Sequence, residues 1–385
     1  MSFRDRSQTD NDRFGTVYRD GSVYTTKSSY DYHRCLDEVI VGDGGYFNTR
    51  HYTVTGGILN GTYRWAGRDW KVENLPPVPP GGPAGNNSVW NLSEDIFSPD
   101  DTYYATRIAA ETNPSRPDVD IGVFLGELRD IPHLFKVFGD TALKTVSRAN
   151  LAYWFGWRPL ANDLLKIVNF SDIADKRYVE LKKLYESGLS YTRVMDRFKT
   201  PKVDRGDALM HNTPAWMLSR STTSEEKVSC HIKWRPTTLP PSNDSELRAL
   251  ARRVAFGLTV DPSTAWELMP WSWLVDWFSS VGDYLSLYRN LVPSEYYDLF
   301  VMRERINETR TTTSYLKDTG GRFGKDISTQ VKSNGDPVYR TIIRSRSRAT
   351  PGITLNPALQ WLTLRQWSIL GSLYVVKNRN SIRRR

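Results

Sequence analysis

The sequence predicts an elongated α+β protein in which a helical bundle region and a separate antiparallel β-sheet region are each built from interleaved chain segments. Three observations predict this. A chain of 385 residues exceeds one average domain and can bury a sizeable core. The periodicity of its apolar residues switches between two and about 3.6 along the chain, in the order β-α-β-α-β-α. That order lacks the strand–helix alternation of a parallel sheet, so the economical solution packs the helical blocks together and the strand blocks together.

The first block, residues 1–97, is rich in Gly, Tyr, Thr and Ser. Pieces such as "GTVYRDGSVYTT" and "GTYRWAGRDWKVE" read as antiparallel strands joined by tight turns. "GDGGYFNTR" at 42–50 has the glycines of a phosphate cradle but no following helix, so it reads as a turn. "LPPVPPGGPAGNN" at 75–87 loses backbone donors and regular dihedrals to its prolines and glycines, and reads as a loop or linker.

Helical signals fill 98–189. Ser98 is a candidate N-cap with Pro99 at the first helical position, and the helix should stop before Pro114. "DIGVFLGELRDI", "PHLFKVFG", "DTALKTVSRANLAYWFGW" and "PLANDLLKIVNFSDIADKRYVELKKLYESG" continue the pattern. Residues 190–245 return to strand, most clearly in "KVSCHIKWRP", and 246–294 to helix. Residues 295–352 form a basic β-rich block containing the Gly-rich hairpin loop "KDTGGRFGKD", and 353–385 hold a last helix and a basic tail.

"DPSTAWELMPWSWLVDWFSSVGDYL", residues 261–285, crowds tryptophans and carboxylates together. Asp261 can cap a helix that starts at Pro262, and Pro270 should kink or restart it. From Trp271 onward, Leu274, Val275, Phe278, Val281, Leu285 and Tyr288 follow helical spacing and predict one apolar core stripe. Asp276 lies on its flank, as a carboxylate oriented by a neighbouring donor such as an indole N–H. A glycosidase needs two carboxylates converging across a cleft, and nothing here supplies the groove.

Charge is unevenly spread. The chain carries a net +9, yet residues 301–385 hold 17 Lys and Arg against 5 Asp and Glu, while the first 300 hold 35 against 38. A neutral body with a basic last quarter points to a localised polyanion contact, with nucleic acid first among candidates. "YRTIIRSRSRAT" at 339–350 follows the turn signal "SNGDP" and reads as a strand leaving a hairpin. Alternation would put Arg340, Arg344, Arg346 and Arg348 on one face, at about 6.6 Å per two residues, a spacing suited to successive phosphates. Arg322 and Lys325, in the Gly-rich loop, complete the candidate nucleic-acid-binding set. The bland alternative is a solvated sheet edge charged against aggregation.

Other chemistries find little support. The two cysteines, Cys35 and Cys230, stand far apart, and the five histidines, including His33 and His51, form no metal-binding pair in sequence. P-loop, Rossmann and GxSxG fingerprints are missing, so no cofactor, metal or catalytic residue is expected. The polar N-terminus lacks a secretion signal, and no run of roughly 18 apolar residues suggests a membrane span.

Two long motifs resemble one family. "AYWFGWRPLANDLLKI" and "WELMPWSWLVDWFSSVGDYL" are similar, in order and spacing, to segments of the maturation proteins (A proteins) of single-stranded RNA bacteriophages. The matching positions are Phe155, Gly156, Trp157, Pro159, Leu160 and Asp163, then Trp266, Glu267, Pro270, Ser272, Val275, Asp276, Trp277, Val281 and Gly282. "NPSRPDVDIGVFLGELRDIPHL" also resembles the stretch preceding the first motif. With the C-terminal helix the likeness covers about half the chain; residues 1–95, 190–245 and 295–350 match no particular member.

The resemblance implies a non-enzymatic virion protein, made in the host cytoplasm and present as a single copy. It would replace one coat-protein dimer, bind a hairpin near the 3′ end of the genomic RNA and attach the particle to a bacterial pilus. The implied fold has a helical bundle facing capsid and RNA, joined to a β-rich region projecting outward. Asp163, Glu267, Trp277 and the other motif residues would then be structural. The alternatives are a glycan-cleaving enzyme, motivated by the tryptophans and acids of 267–283, and a glycan-binding surface protein, motivated by the Tyr-rich N-terminal strands.

Overall fold

A computed structural model describes residues 2–39, 45–65, 67–76, 98–118, 142–158, 161–162, 165–166, 169–200, 203–209, 216–257, 262–269, 272–315, 332–333, 335–354 and 363–377. The protein is α+β, with antiparallel strand pairing throughout the registers observed. The Pro/Gly-rich 77–87, the helical readings over 119–141 and the Gly-rich loop with Arg322 and Lys325 lie outside the described residues.

Among the described residues, eleven strands form one sheet: β1 (Ser2–Arg19), β2 (Ser22–Val39), β3 (Phe47–Thr55), β4 (Leu59–Trp65), β5 (Arg68–Leu75), β6 (Leu189–Lys199), β7 (Val203–Leu209), β8 (Trp216–Pro236), β9 (Ser294–Tyr315), β10 (Lys332–Ser333) and β11 (Val338–Arg348). Their order is β10-β4-β5-β1-β2-β3-β11-β9-β8-β6, with β7 paired to β8. The β1–β2 hairpin closes through Asp20 and Gly21, both at positive φ (49° and 81°), the two-residue geometry whose twist matches antiparallel strands. Asp20 also fastens this tip to β5: its carboxylate accepts from the Asp69 amide at 3.0 Å and pairs with Arg68 at 3.2 Å.

The expected hairpin before β11 does not form. Lys332 and Ser333 pair with Asn60 and Leu59 of β4, whereas β11 lies between β3 and β9. The turn is captured by the β3–β4 connection: Gly57 N–H donates to Gly335 O at 3.0 Å, and the Pro337 ring packs against Gly57, where a Cβ would come within 2.7 Å. That contact redirects the chain to another strand.

Contacts divide the chain into two compact units of three segments each. One comprises 1–96, 194–229 and 301–348; the other comprises 97–193, 230–300 and 349–385. In the first unit, β1, β4 and β5 bury Val17, Leu59, Tyr63, Trp70, Val72 and Leu75, with the Tyr63 and Trp70 rings stacked at 5.8 Å. Tyr52, Val54 and Tyr339 make a smaller cluster on β3 and β11. Glu226 on β8 is buried with Arg303 and Arg305 of β9, at 3.4 and 3.6 Å.

The second unit holds helices α1 (Asp101–Thr112), α2 (Ala142–Ala152), α3 (Phe170–Ser187), α4 (Asp244–Phe256), α5 (Pro262–Glu267), α6 (Ser272–Asp276), α7 (Val281–Ser286) and α8 (Leu364–Lys377). Asp100 caps α1, not Ser98: its carboxylate accepts from Tyr103 N at 2.8 Å, and the stronger acceptor moves the start two residues on from Pro99. Ile108, Ala105 and Ala109 are fully buried, and the Trp234 indole donates to Thr112 Oγ1 at 3.0 Å. Helix α3 ends where Gly188 turns at φ 77°, and it packs on α4 through the stacked rings of Phe170 and Phe256. Arg177, buried on α3, bridges Asp118 and Glu180 at 2.7 Å each.

Gly15 tests the sheet packing. A Cβ there would meet the backbone of Asn74 and Leu75 at 2.4 Å, and backbone cannot swing aside. Gly15→Ala should lose about 1–3 kcal/mol, read as a lower urea midpoint whose transition is followed by Trp70 fluorescence.

Candidate nucleic-acid interface

Strand β11 carries the predicted arginines, and buried and exposed residues alternate at its start. Tyr339 and Thr341 face inward and are buried, while Arg340, Arg344 and Arg348 are exposed and Arg346 is half-buried. The strand is interior to the sheet, so the charged-edge alternative does not apply. Within the protein, Arg344 Nε pairs with Glu304 at 2.5 Å, and Arg346 Nε donates to Gly45 O at 2.9 Å.

The sheet brings further cations to this face that charge counting missed. Register places Arg346 beside Phe47 of β3, then Asp37 of β2, then Arg4 of β1. The next row reads Arg344, Thr49, Cys35, Arg6. Directly opposed residues of antiparallel strands share a face, so arginines from the two ends of the chain belong to one surface. Asp37 accepts from both Arg4 and Arg6, and these guanidiniums, Arg4 foremost, hold its carboxyl below the usual range. The N-terminal arginines were hidden because residues 1–97 are neutral on average; alternation in "SFRDRSQ" was the available signal.

In the tryptophan-rich segment, the apolar stripe of one continuous helix is not what forms. The helix breaks after Asp276 and restarts at Val281, leaving Val275 and Tyr288 exposed. The cause is local polar bonding. The Asp276 carboxylate accepts from the Trp266 indole at 3.1 and 3.2 Å and from Gly282 N at 2.9 Å, and Ser280 N donates to Thr354 O at 3.1 Å. Gly282 leaves room for that carboxylate, since a Cβ would come within 2.7 Å of it. Glu267 pairs with Arg289 at 3.5 Å, and Trp277 is half-buried. Pro270 and Trp271 lie outside the described residues, and the helix that ends at Glu267 starts again at Ser272, after Pro270.

Of the other motif, Phe155, Gly156 and Trp157 occupy a π-helical turn, Tyr153–Trp157, that continues α2; Pro159 and Asp163 lie outside the described residues. This turn contributes a second cationic–aromatic surface. The Trp154 ring is met by the guanidiniums of Arg158 (4.8 Å) and Arg365 of α8 (4.2 Å), with Tyr153, Trp157 and Trp367 exposed nearby in sequence. Asn150 ties α2 to α8 through Ser372 Oγ at 2.9 Å. The Trp154–Arg158 spacing of four was the legible part of this pairing.

Among the described residues no group of three or more His, Cys, Asp or Glu is placed to hold a metal ion, and no helix is long and apolar enough to cross a membrane. No family model matches the chain, and no curated protein matches it.

Two substitutions test the carboxylate chemistry. Gly282→Ala displaces Asp276 from its donors, and a cost of about 1–3 kcal/mol is expected from the lost bonds, measured by chemical unfolding alongside Asp276→Ala. Asp283 behaves oppositely: burial pushes its carboxyl up to about 6, opposed by Arg107 and reinforced by Glu111 and Asp276. The folded state therefore holds more protons here than the unfolded chain between about pH 4 and 6, so this group's contribution falls as pH rises through that window. Asp283→Asn should flatten stability across it and raise the unfolding midpoint at neutral pH.

Proposed function

We propose that this chain is a maturation-type protein of a single-stranded RNA bacteriophage: a non-enzymatic virion component that binds genomic RNA, takes the place of a coat-protein dimer and attaches the particle to a pilus. The observation that carries RNA contact is the arginine-bearing face of β11, joined in register by Arg4 and Arg6. Guanidiniums on a rigid sheet suit a phosphate backbone, which supplies most of the affinity for structured RNA. The Trp266–Asp276–Gly282 bonding supports the family reading, because three positions of one quoted motif meet in a single hydrogen-bonded knot.

In this reading the helical segments form the capsid-facing bundle of an elongated molecule, and the 3′ hairpin, coat dimers and pilus are its partners. Two of the three carboxylates that motivated glycan cleavage are engaged otherwise, Asp276 by Trp266 and Glu267 by Arg289, which supports a non-catalytic role for these two. The family likeness would turn RNA toward the helical part, whereas charge favours the β-rich unit.

Substitution separates these surfaces. Arg340→Gln with Arg344→Gln should reduce the dependence of RNA affinity on salt by about 1.4 in log–log slope, at about 0.7 per lost single-strand contact. Trp154→Ala with Arg365→Gln should leave the slope unchanged. The reverse result moves the contact to the α2–α8 surface, and no RNA binding by the unaltered chain defeats the proposal.

A further inference from the structure

Between the arginines of β1 and those of β11 runs a strip that carries Asp37, paired with Arg4 and Arg6, and beyond it two histidines. The row following Arg6, Cys35, Thr49 and Arg344 reads Gln8, His33, His51, Ile342. His33 and His51 are exposed and directly opposed, with ring centroids 5.4 Å apart and planes at 67°. Adjacent strands lie about 4.8 Å apart, which separates the β1 and β11 arginines by roughly 14 Å. The imidazoles fall inside that gap.

Their charged surroundings are mixed. Arg6 on β1 and Arg344 on β11 flank the pair on one side, with Glu304 of β9 taken up by Arg344. On the other side the next row brings Asp10 opposite Asp31, and Arg340 opposite Thr53. Cys35 neighbours His33 along β2, and Arg6 approaches its sulfur at 3.7 Å. With neutral imidazoles, the cationic surface is split into two rails beside an acidic end. Two imidazoliums would bridge the rails.

We infer that His33 and His51 gate this face: protonated, they join the β1 and β11 arginines into one continuous anion-binding surface, so that affinity for an RNA phosphate backbone rises as pH falls. Imidazole is the side chain suited to such a change between about pH 5 and 8. Two adjacent imidazoliums repel, and a phosphate seated over them offsets that repulsion. Proton binding and phosphate binding therefore favour each other, and the coupling is reciprocal. This inference rests on the RNA-binding reading above.

The test uses the full chain and a fluorescein-labelled uridine 20-mer, followed by anisotropy over a salt series at about pH 8 and about pH 5.5, the window in which imidazole changes charge. The unaltered chain should bind tighter at the lower pH, with a log–log salt slope steeper by about 1.4 for two added contacts. His33→Gln/His51→Gln should bind equally at both, and His33→Arg/His51→Arg should bind tightly at both. A pH effect that persists in the Gln variant, or none in the unaltered chain, overturns the gate while leaving RNA binding intact. Absence of binding at either pH overturns the gate and the RNA-binding reading together.

Discussion

The pairing of β11 between β3 and β9 is the constraint on which the β-rich unit depends. In the sheet order it is the link between the five N-terminal strands and the strands contributed by residues 189–315. Its inward residues, Tyr339 and Thr341, are buried with Tyr52 and Val54, so its outward residues cannot change face without losing that contact. The arginines are therefore presented by a strand whose register is fixed from both sides. A strand near the C-terminus that must find a partner near the N-terminus also makes for non-local pairing, which slows folding.

Local chemistry made much of the fold legible. Asp20-Gly21 announces the β1–β2 turn because two consecutive residues at positive φ favour those residue types, and alternation matches the buried and exposed residues at the start of β11, 339–341. What sequence could not supply was pairing. "SNGDP" has the composition of a hairpin turn, yet Gly57 and the Pro337 ring capture it and send β10 and β11 to different partners. Likewise, Arg4 and Arg6 join Arg344 and Arg346 only through three successive registers, none of which is encoded within a single window of sequence.

The tryptophan-rich segment shows the converse case, where a correct periodicity gives the wrong object. Apolar residues from 271 to 288 recur at helical spacing, but Asp276 and Ser280 offer the backbone competing bonds, so the helix ends and restarts. Side-chain chemistry was the better guide: a carboxylate among indoles in a part-buried setting requires donors, and Trp266 and Gly282 provide them. Glycine at 282 follows from the same demand, because the carboxylate occupies the space of its Cβ.

The same logic separates the two cationic surfaces. On β11 and β1, Glu304 and Asp37 hold three guanidiniums in place by ion pairs, which limits their side-chain freedom before any ligand arrives. Ion pairs at such exposure contribute little stability, so fixing the forks in a row is the more telling consequence. Around α2 and α8, the Trp154 ring holds the guanidiniums of Arg158 and Arg365 by cation–π contact. The first arrangement sets arginines two residues apart along β1 and along β11, about 6.6 Å by strand rise. The second gathers charge around one aromatic ring and suits a single unpaired base or side chain. A polyanion with regular spacing therefore favours the sheet, and its affinity should follow the number of guanidiniums in line, with aromatic exposure secondary.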